Sequence, residues 1–193
     1  MPKTKQFDET QVLQKAGEVF WQKGYNGTSM DELVRATGLS RSSIYDTFGD
    51  KHGLFVRTIQ LYKADQQAAL TEYLKNGASP KKKIQALFHR LLQEILCDDH
   101  RKGCFLVNVV AELSGLDNIA ITLAKDEMQK MEAMFLTWVA QGQETGEISN
   151  KFTPQALARH LQNSITGLRI AGQAMPDRAI LEDIVKVALS VLD

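Results

Sequence analysis

Apolar residues recur at three- and four-residue intervals along this chain, and no stretch alternates with the two-residue period of a strand. That period belongs to helices with one buried face. Val12, Leu13, Ala16, Val19 and Phe20 form the first such run. Asp8 and Gln11 stand ahead of it at capping-box spacing, and Gly24 offers a left-handed stop, so a helix is expected from Asp8 to about Gly24. Gly17 sits in its middle at a cost of about 1 kcal/mol relative to alanine, which predicts a close helix crossing there. Thr28 with Asp31 predicts a second, short helix with Met30, Leu33 and Val34 inward. Thr37-Gly38-Leu39 reads as a tight turn with a buried leucine, and Ser40 caps a third helix from Arg41 to about Phe48. Asp50, after Gly49, caps a fourth that runs to about Lys75, before Gly77. Further helices are expected at about 80–97, 104–115, 117–143, 154–174 and 177–192, with Pro80, Pro154 and Pro176 at or near their starts, where proline is tolerated. The fold class is all-α. An N-terminal three-helix domain spans residues 1–52, and a larger helical domain spans 53–193.

Two short helices joined by a three- to four-residue turn containing glycine make a helix-turn-helix. The third helix has the chemistry of one that enters a DNA groove. Ile44 and Phe48, one turn apart, anchor an apolar side. Arg41, Ser42 and Ser43 occupy the first turn, the part of a recognition helix that meets base edges. Arg41 can fork onto guanine O6 and N7, and Ser42 can donate or accept. Ser43, Tyr45 and Thr47 carry hydroxyls suited to phosphate oxygens. Thr28 is expected to cap the second helix, whose N-terminus would face the backbone as an anion site, and Lys51 adds a cation to the start of the fourth. Asp46 puts a negative charge on the same helix. It either points away from the phosphates or accepts from cytosine N4.

Charge changes this picture only in degree. The whole chain balances 23 basic against 23 acidic residues, so there is no basic bulk to hold nucleic acid. Residues 1–57 hold eight basic and seven acidic side chains. Nonspecific affinity should be modest, and specificity should rest on two half-sites read together. Lys3 and Lys5 are candidates for an arm that adds phosphate or minor-groove contacts. A hydrophobic fraction of 44% and two cysteines, Cys97 and Cys104, suit a soluble protein with reduced thiols; no run is long and apolar enough to span a membrane, and a cytoplasmic location is expected.

The segment 28–55, with Gly24-Tyr25 before it, resembles the TetR family of one-component regulators. The matching residues are Gly24, Tyr25, Thr28-Ser29, Gly38-Leu39-Ser40, Ile44-Tyr45, Phe48, Lys51 and Leu54-Phe55, and the pattern covers about residues 8–56. The stretch Arg101 to Asn108 looks like one common in a branch of that family. The resemblance implies a homodimeric repressor on a palindromic double-stranded DNA operator, released by a small-molecule or thiol-reactive signal. It implies DNA contacts from Thr28, Arg41, Ser42, Ser43, Tyr45, Thr47 and Lys51.

For the second domain the resemblance implies effector binding and dimerisation. Leu161, Ile165 and Leu168 on one helix and Ile184, Ala188 and Val191 on the last are the expected dimer face, with Ser164, Gly167 and Gly172 small enough for close helix approach. Met131, Phe135 and Trp138 lie at helical spacing and suit either plain core or an adaptable pocket. With His89, Cys104, Asn108, Glu112 and His160 they form the candidate effector pocket. Cys104 follows Arg101 and Lys102 near a predicted helix start, a setting that favours thiolate, although an inert buried cysteine is the plainer reading. Cys97, His100 and Cys104 lack a distant fourth ligand, so neither a metal nor another cofactor is expected. A cysteine-dependent enzyme and a helical protein-binding adaptor are the alternatives. The first finds no triad spacing or phosphate loop in the sequence, and it leaves the 28–55 segment without a role.

Overall fold

The structure, a computed structural model, describes residues 7–73 and 78–193. Among them the chain forms nine α-helices and no strand: α1 (Glu9–Lys23), α2 (Met30–Thr37), α3 (Arg41–Phe48), α4 (Lys51–Tyr73), α5 (Pro80–Leu96), α6 (Phe105–Leu113), α7 (Asn118–Glu144), α8 (Pro154–Ala174) and α9 (Arg178–Leu189), closed by a 3-10 turn at Ser190–Leu192. The expected end of the fourth helix at about Lys75 and the Lys3/Lys5 arm lie outside the described residues. The helices fall into two compact units. One is Met1–Leu70 with Asn108–Ala124, and the other is Thr71–Val107 with Lys125–Asp193. The divisions fall inside α4, α6 and α7 rather than in loops.

Short-range chemistry sets the helix ends. The Asp8 carboxylate accepts the amides of Thr10 at 2.8 Å and Gln11 at 3.3 Å. Ser40 accepts from Ser43 N at 3.2 Å, and Asp50 accepts from Gly53 N at 2.7 Å. Thr153 and Asp177 do the same for α8 and α9, with Pro154 in the first turn of α8. Each such cap satisfies an orphan amide at about 1 kcal/mol. One expected cap is corrected. α2 is capped by Ser29, whose hydroxyl accepts Glu32 N at 3.3 Å while Glu32 takes the Ser29 amide at 2.8 Å, a reciprocal box one residue later than Thr28 and Asp31. Leu39, expected to be buried, is half-exposed.

The first unit closes on Val12, Leu13, Ala16 and Phe20 of α1, Leu33 of α2, Ile44 and Phe48 of α3 and Leu54, Phe55 and Ile59 of α4. Phe20 and Phe55 meet edge-on at 5.0 Å. α1 meets α4 at Gly17, but less closely than expected: Thr58 Cβ would lie 3.5 Å from an added Cβ, which is ordinary contact. Gly17→Ala should therefore fit and raise stability by up to about 1 kcal/mol through helix propensity alone. A melting temperature that falls would show that the crossing is tighter than this.

The second unit packs α5, α8 and α9 around Ile84, Phe88, Leu91, Leu157, Leu161, Ile165, Leu168, Leu181 and Val185. Gly172 is the close approach: a Cβ there would stand 2.3 Å from Ile95 Cγ2 of α5. This overturns much of the expected dimer face. Leu161, Ile165, Leu168 and Ala188 are buried within a single chain, and Ile184 and Val191 are half-buried. The stripe is the unit's own core. The opposite side of the same two helices carries the uncovered apolar groups, with Ile170 51%, Ile180 43% and Val187 69% exposed, and Gly167 beside open space.

Candidate nucleic-acid interface

α3 is held from behind and open in front. Ile44 is fully buried and Phe48 nearly so, while Arg41, Ser42, Tyr45 and Asp46 are exposed and Ser43 and Thr47 are half-buried. The hydroxyl of Ser40 lies 3.0 Å from that of Ser42 and 2.9 Å from that of Ser43, so the first turn presents a linked group of three hydroxyls. Arg41 donates from Nη2 to Asp31 Oδ1 of α2 at 2.8 Å, with both side chains largely in solvent. An exposed pair of that kind is worth at most about 1 kcal/mol, so the guanidinium can change partners readily.

Lys51 opens α4. Its ammonium sits 4.4 Å from the centre of the Tyr25 ring, a cation–π contact. Partial burial pulls its pKa below the ordinary lysine value, against the carboxylates of Glu112 and Glu32, which favour its charge. Burial and the nearby Asp50 and Asp117 carboxylates push the Tyr25 phenol up, so it stays neutral. At the same end of α4, Gly53 N already donates to Asp50.

Thr28 is corrected as a contact as well as a cap. It is only 2% exposed, and its hydroxyl donates to Gly24 O at 2.6 Å, which leaves nothing for a phosphate. The α2 end is instead built from Ser29, Glu32 and Lys23. The Lys23 ammonium and then the Ser29 amide and hydroxyl hold the Glu32 carboxyl at about 2, far below its ordinary value.

The residues grouped as an effector pocket divide between the two units. His89 and His160 are on the surface, the latter 3.5 Å from Ser164 Oγ. Met131 is half-buried, while Phe135 and Trp138 lie edge-on at 6.1 Å in the core of the second unit, with Phe88 6.5 Å from Phe135. Cys104, just before α6, is buried in that unit, and Cys97 is exposed. Asn108 and Glu112 belong to the first unit. There the Glu112 carboxylate accepts the amides of Tyr25 at 2.9 Å and Asn26 at 2.7 Å. A polar residue on a helical stripe suggests a pocket, but backbone amides far away in sequence leave no trace in composition. His52 Nε2 and Asp117 Oδ2, another pair outside the expected set, meet at 2.8 Å. Burial works against the Asp117 charge, but the amides of Ala120 and Ile119 and the His52 ring outweigh it and hold the carboxyl below its usual value. A shallow cavity of about 400 Å³ lies beside this pair, lined by Tyr25, Asn26, Leu113 and Ile119 among others.

Residues 12–58 match the family of bacterial regulatory proteins, tetR family, and residues 80–188 match the tetracyclin repressor-like C-terminal domain. The chain is 32% identical over 194 residues to the uncharacterized HTH-type transcriptional regulator YezE of Bacillus subtilis (strain 168), covering 100% of both. It is 31% identical to the HTH-type transcriptional repressor ComR of Escherichia coli (strain K12), over 97% of this chain and 89% of that one. Among solved structures, a cysteine mutant of the TetR family transcriptional regulator CifR, complexed with 26bp double-strand operator DNA, superposes with a TM-score of 0.83 at 24% identity, covering 99% of this chain and 100% of that one.

Proposed function

The chain belongs to the tetR family of bacterial regulatory proteins, and from that premise we propose that it is a ligand-responsive transcriptional repressor, a binding protein rather than an enzyme, that grips a palindromic operator as a homodimer in the cytoplasm. One observation carries the reading: α3 is locked by the fully buried Ile44 on one side and offers Arg41, Ser42 and Tyr45 to solvent on the other. A short helix so anchored, with a forked donor in its first turn, suits the major groove. Ser43, Thr47 and Lys51 flank it as phosphate contacts. Residues 1–52 carry this reading function, and residues 53–193 carry effector response and dimerisation. The relative ComR bears the name of a repressor, which favours repression over activation. No helix among the described residues is long and apolar enough to cross a membrane.

The dimer contact is best placed on the uncovered side of α8 and α9, around Gly167, Ile170, Ile180 and Val187, with the half-buried Ile184 and Val191 at its margin. Two helices from each copy would then close a four-helix interface.

Footprinting with the purified full chain tests the reading. A two-fold symmetric protected site is expected. Absence of any protected site across the genome would point instead to a protein-binding adaptor. The release signal is either a non-covalent apolar or amphipathic molecule or a reagent that modifies Cys104. Cys104→Ser separates the two. Under the first it still binds DNA and is still released. Under the second it binds DNA and ignores electrophiles and oxidants, and normal release by those reagents would remove the thiol from the mechanism.

A further inference from the structure

We infer that Glu112 is the positioning residue that holds Lys51 ready for the DNA backbone, acting through the Gly24–Asn26 turn and the Tyr25 ring; the inference rests on the operator-binding reading above. Three observations in the first unit converge on it. The Glu112 carboxylate of α6 accepts two consecutive amides, Tyr25 N at 2.9 Å and Asn26 N at 2.7 Å. Hydrogen bonds to an ionised acceptor are the strong kind, and two adjacent donors fix both oxygens at once. Gly24 is shaped for this contact. Its φ of 74° with ψ of 171° is backbone that only glycine adopts easily, and a Cβ there would lie 2.5 Å from Glu112 Oε2. The turn is closed on its other side by Thr28, whose hydroxyl holds Gly24 O at 2.6 Å.

What the turn positions is the Tyr25 ring. It packs against Phe55 at 4.8 Å and carries the Lys51 ammonium on its face at 4.4 Å. The Glu112 charge also acts directly on Lys51, favouring its protonated form against burial. A carboxylate on α6 therefore sets the backbone of Tyr25, the ring sets the height of Lys51, and Lys51 stands at the first residue of α4. The neighbouring Asp117 meets the same first turn of α4 through His52 at 2.8 Å, a second contact from residues 108–124 to the start of that helix. Glu112 lies on α6, which starts at Phe105.

The test is a double-mutant cycle on operator binding, read as a function of salt. Glu112→Gln keeps the shape but turns an NH2 toward one of two donors. It is expected to weaken operator binding by about tenfold, the scale of losing one charge-assisted bond. Lys51→Ala alone should shallow the salt dependence by about one phosphate equivalent. In the Glu112→Gln background the salt slope should already be shallow, and adding Lys51→Ala should change little, because the lysine is no longer placed. A residue that only supports the fold would lower the melting temperature and leave the two effects additive, and additivity with an unchanged slope overturns the inference. Should Glu112→Gln fail to fold by circular dichroism, Tyr25→Leu decides. It keeps both amides and the apolar packing but removes the ring under Lys51, and it must reproduce the shallow slope. If the unaltered protein binds no DNA, it is the operator reading that falls. If the unaltered protein binds and the slopes match, only the role of Glu112 falls.

Discussion

Replacing Arg41 with alanine is expected to weaken operator binding by about 1–3 kcal/mol and to relax base preference at one position in each half-site, the signature of a lost bidentate contact to guanine. Arg41 is the one exposed forked donor in the first turn of α3, and that helix cannot roll to hide it because Ile44 is wholly buried behind. In the free protein its guanidinium is paired with Asp31 at 2.8 Å. That bond must break on the operator, and its exposure makes the exchange inexpensive. Asp31→Asn should accordingly leave binding intact or improve it slightly, since it also removes a negative charge near the phosphates. Fluorescence anisotropy on a set of single-base operator variants measures both. If Arg41→Ala weakens every sequence equally, the side chain is a phosphate contact and specificity lies elsewhere on α3.

What the sequence made legible was whatever is decided within a few residues. Asp8, Ser40 and Asp50 each cap the helix predicted for them, because a short oxygen side chain finds amides two or three residues on without help from the fold. The one-residue slip at α2 has the same origin. Thr28 and Ser29 are both capping types, and Asp31 and Glu32 both acidic, so local spacing allows two registers. Burial of the Thr28 methyl and hydroxyl against the turn selects the second. The buried back of α3 and its polar front were also readable, since a helix of eight residues has room for only one apolar side.

Long-range choices were not readable. α8 and α9 carry apolar residues on more than one side, and periodicity alone cannot say which side the chain covers itself. The regular Leu161, Ile165, Leu168 stripe is the better packed one and became core, leaving the sparser Ile170 and Val187 side open. The surroundings of the polar residues in the expected pocket were hidden for a related reason. His89 and His160 lie at helical spacing from apolar residues yet face solvent, and Glu112 was matched to backbone amides 86 and 87 residues away, partners that carry no residue-type signal. Lys51 over Tyr25 spans 26 positions and is likewise set by the fold.

That distinction between covered and open sides fixes the second large effect. Val187→Glu is expected to give a folded monomer with operator affinity reduced by a factor on the order of 100 or more, the scale on which two linked heads exceed one. Val187 is 69% exposed in the single chain, so a carboxylate there costs the isolated subunit nothing in buried charge. A two-fold interface brings each patch against its own copy, so one substitution places two carboxylates in the contact. Their desolvation without partners is strongly unfavourable. Ile184→Glu is a poorer probe, because Ile184 is half-buried and its substitution would weaken fold and interface together. Leu161→Glu serves as the contrast: Leu161 is fully buried, and that change should unfold the second unit outright. Light scattering, circular dichroism and gel shift on the three variants separate the cases. A Val187→Glu protein that remains a dimer with native affinity would move the interface off this side of α8 and α9.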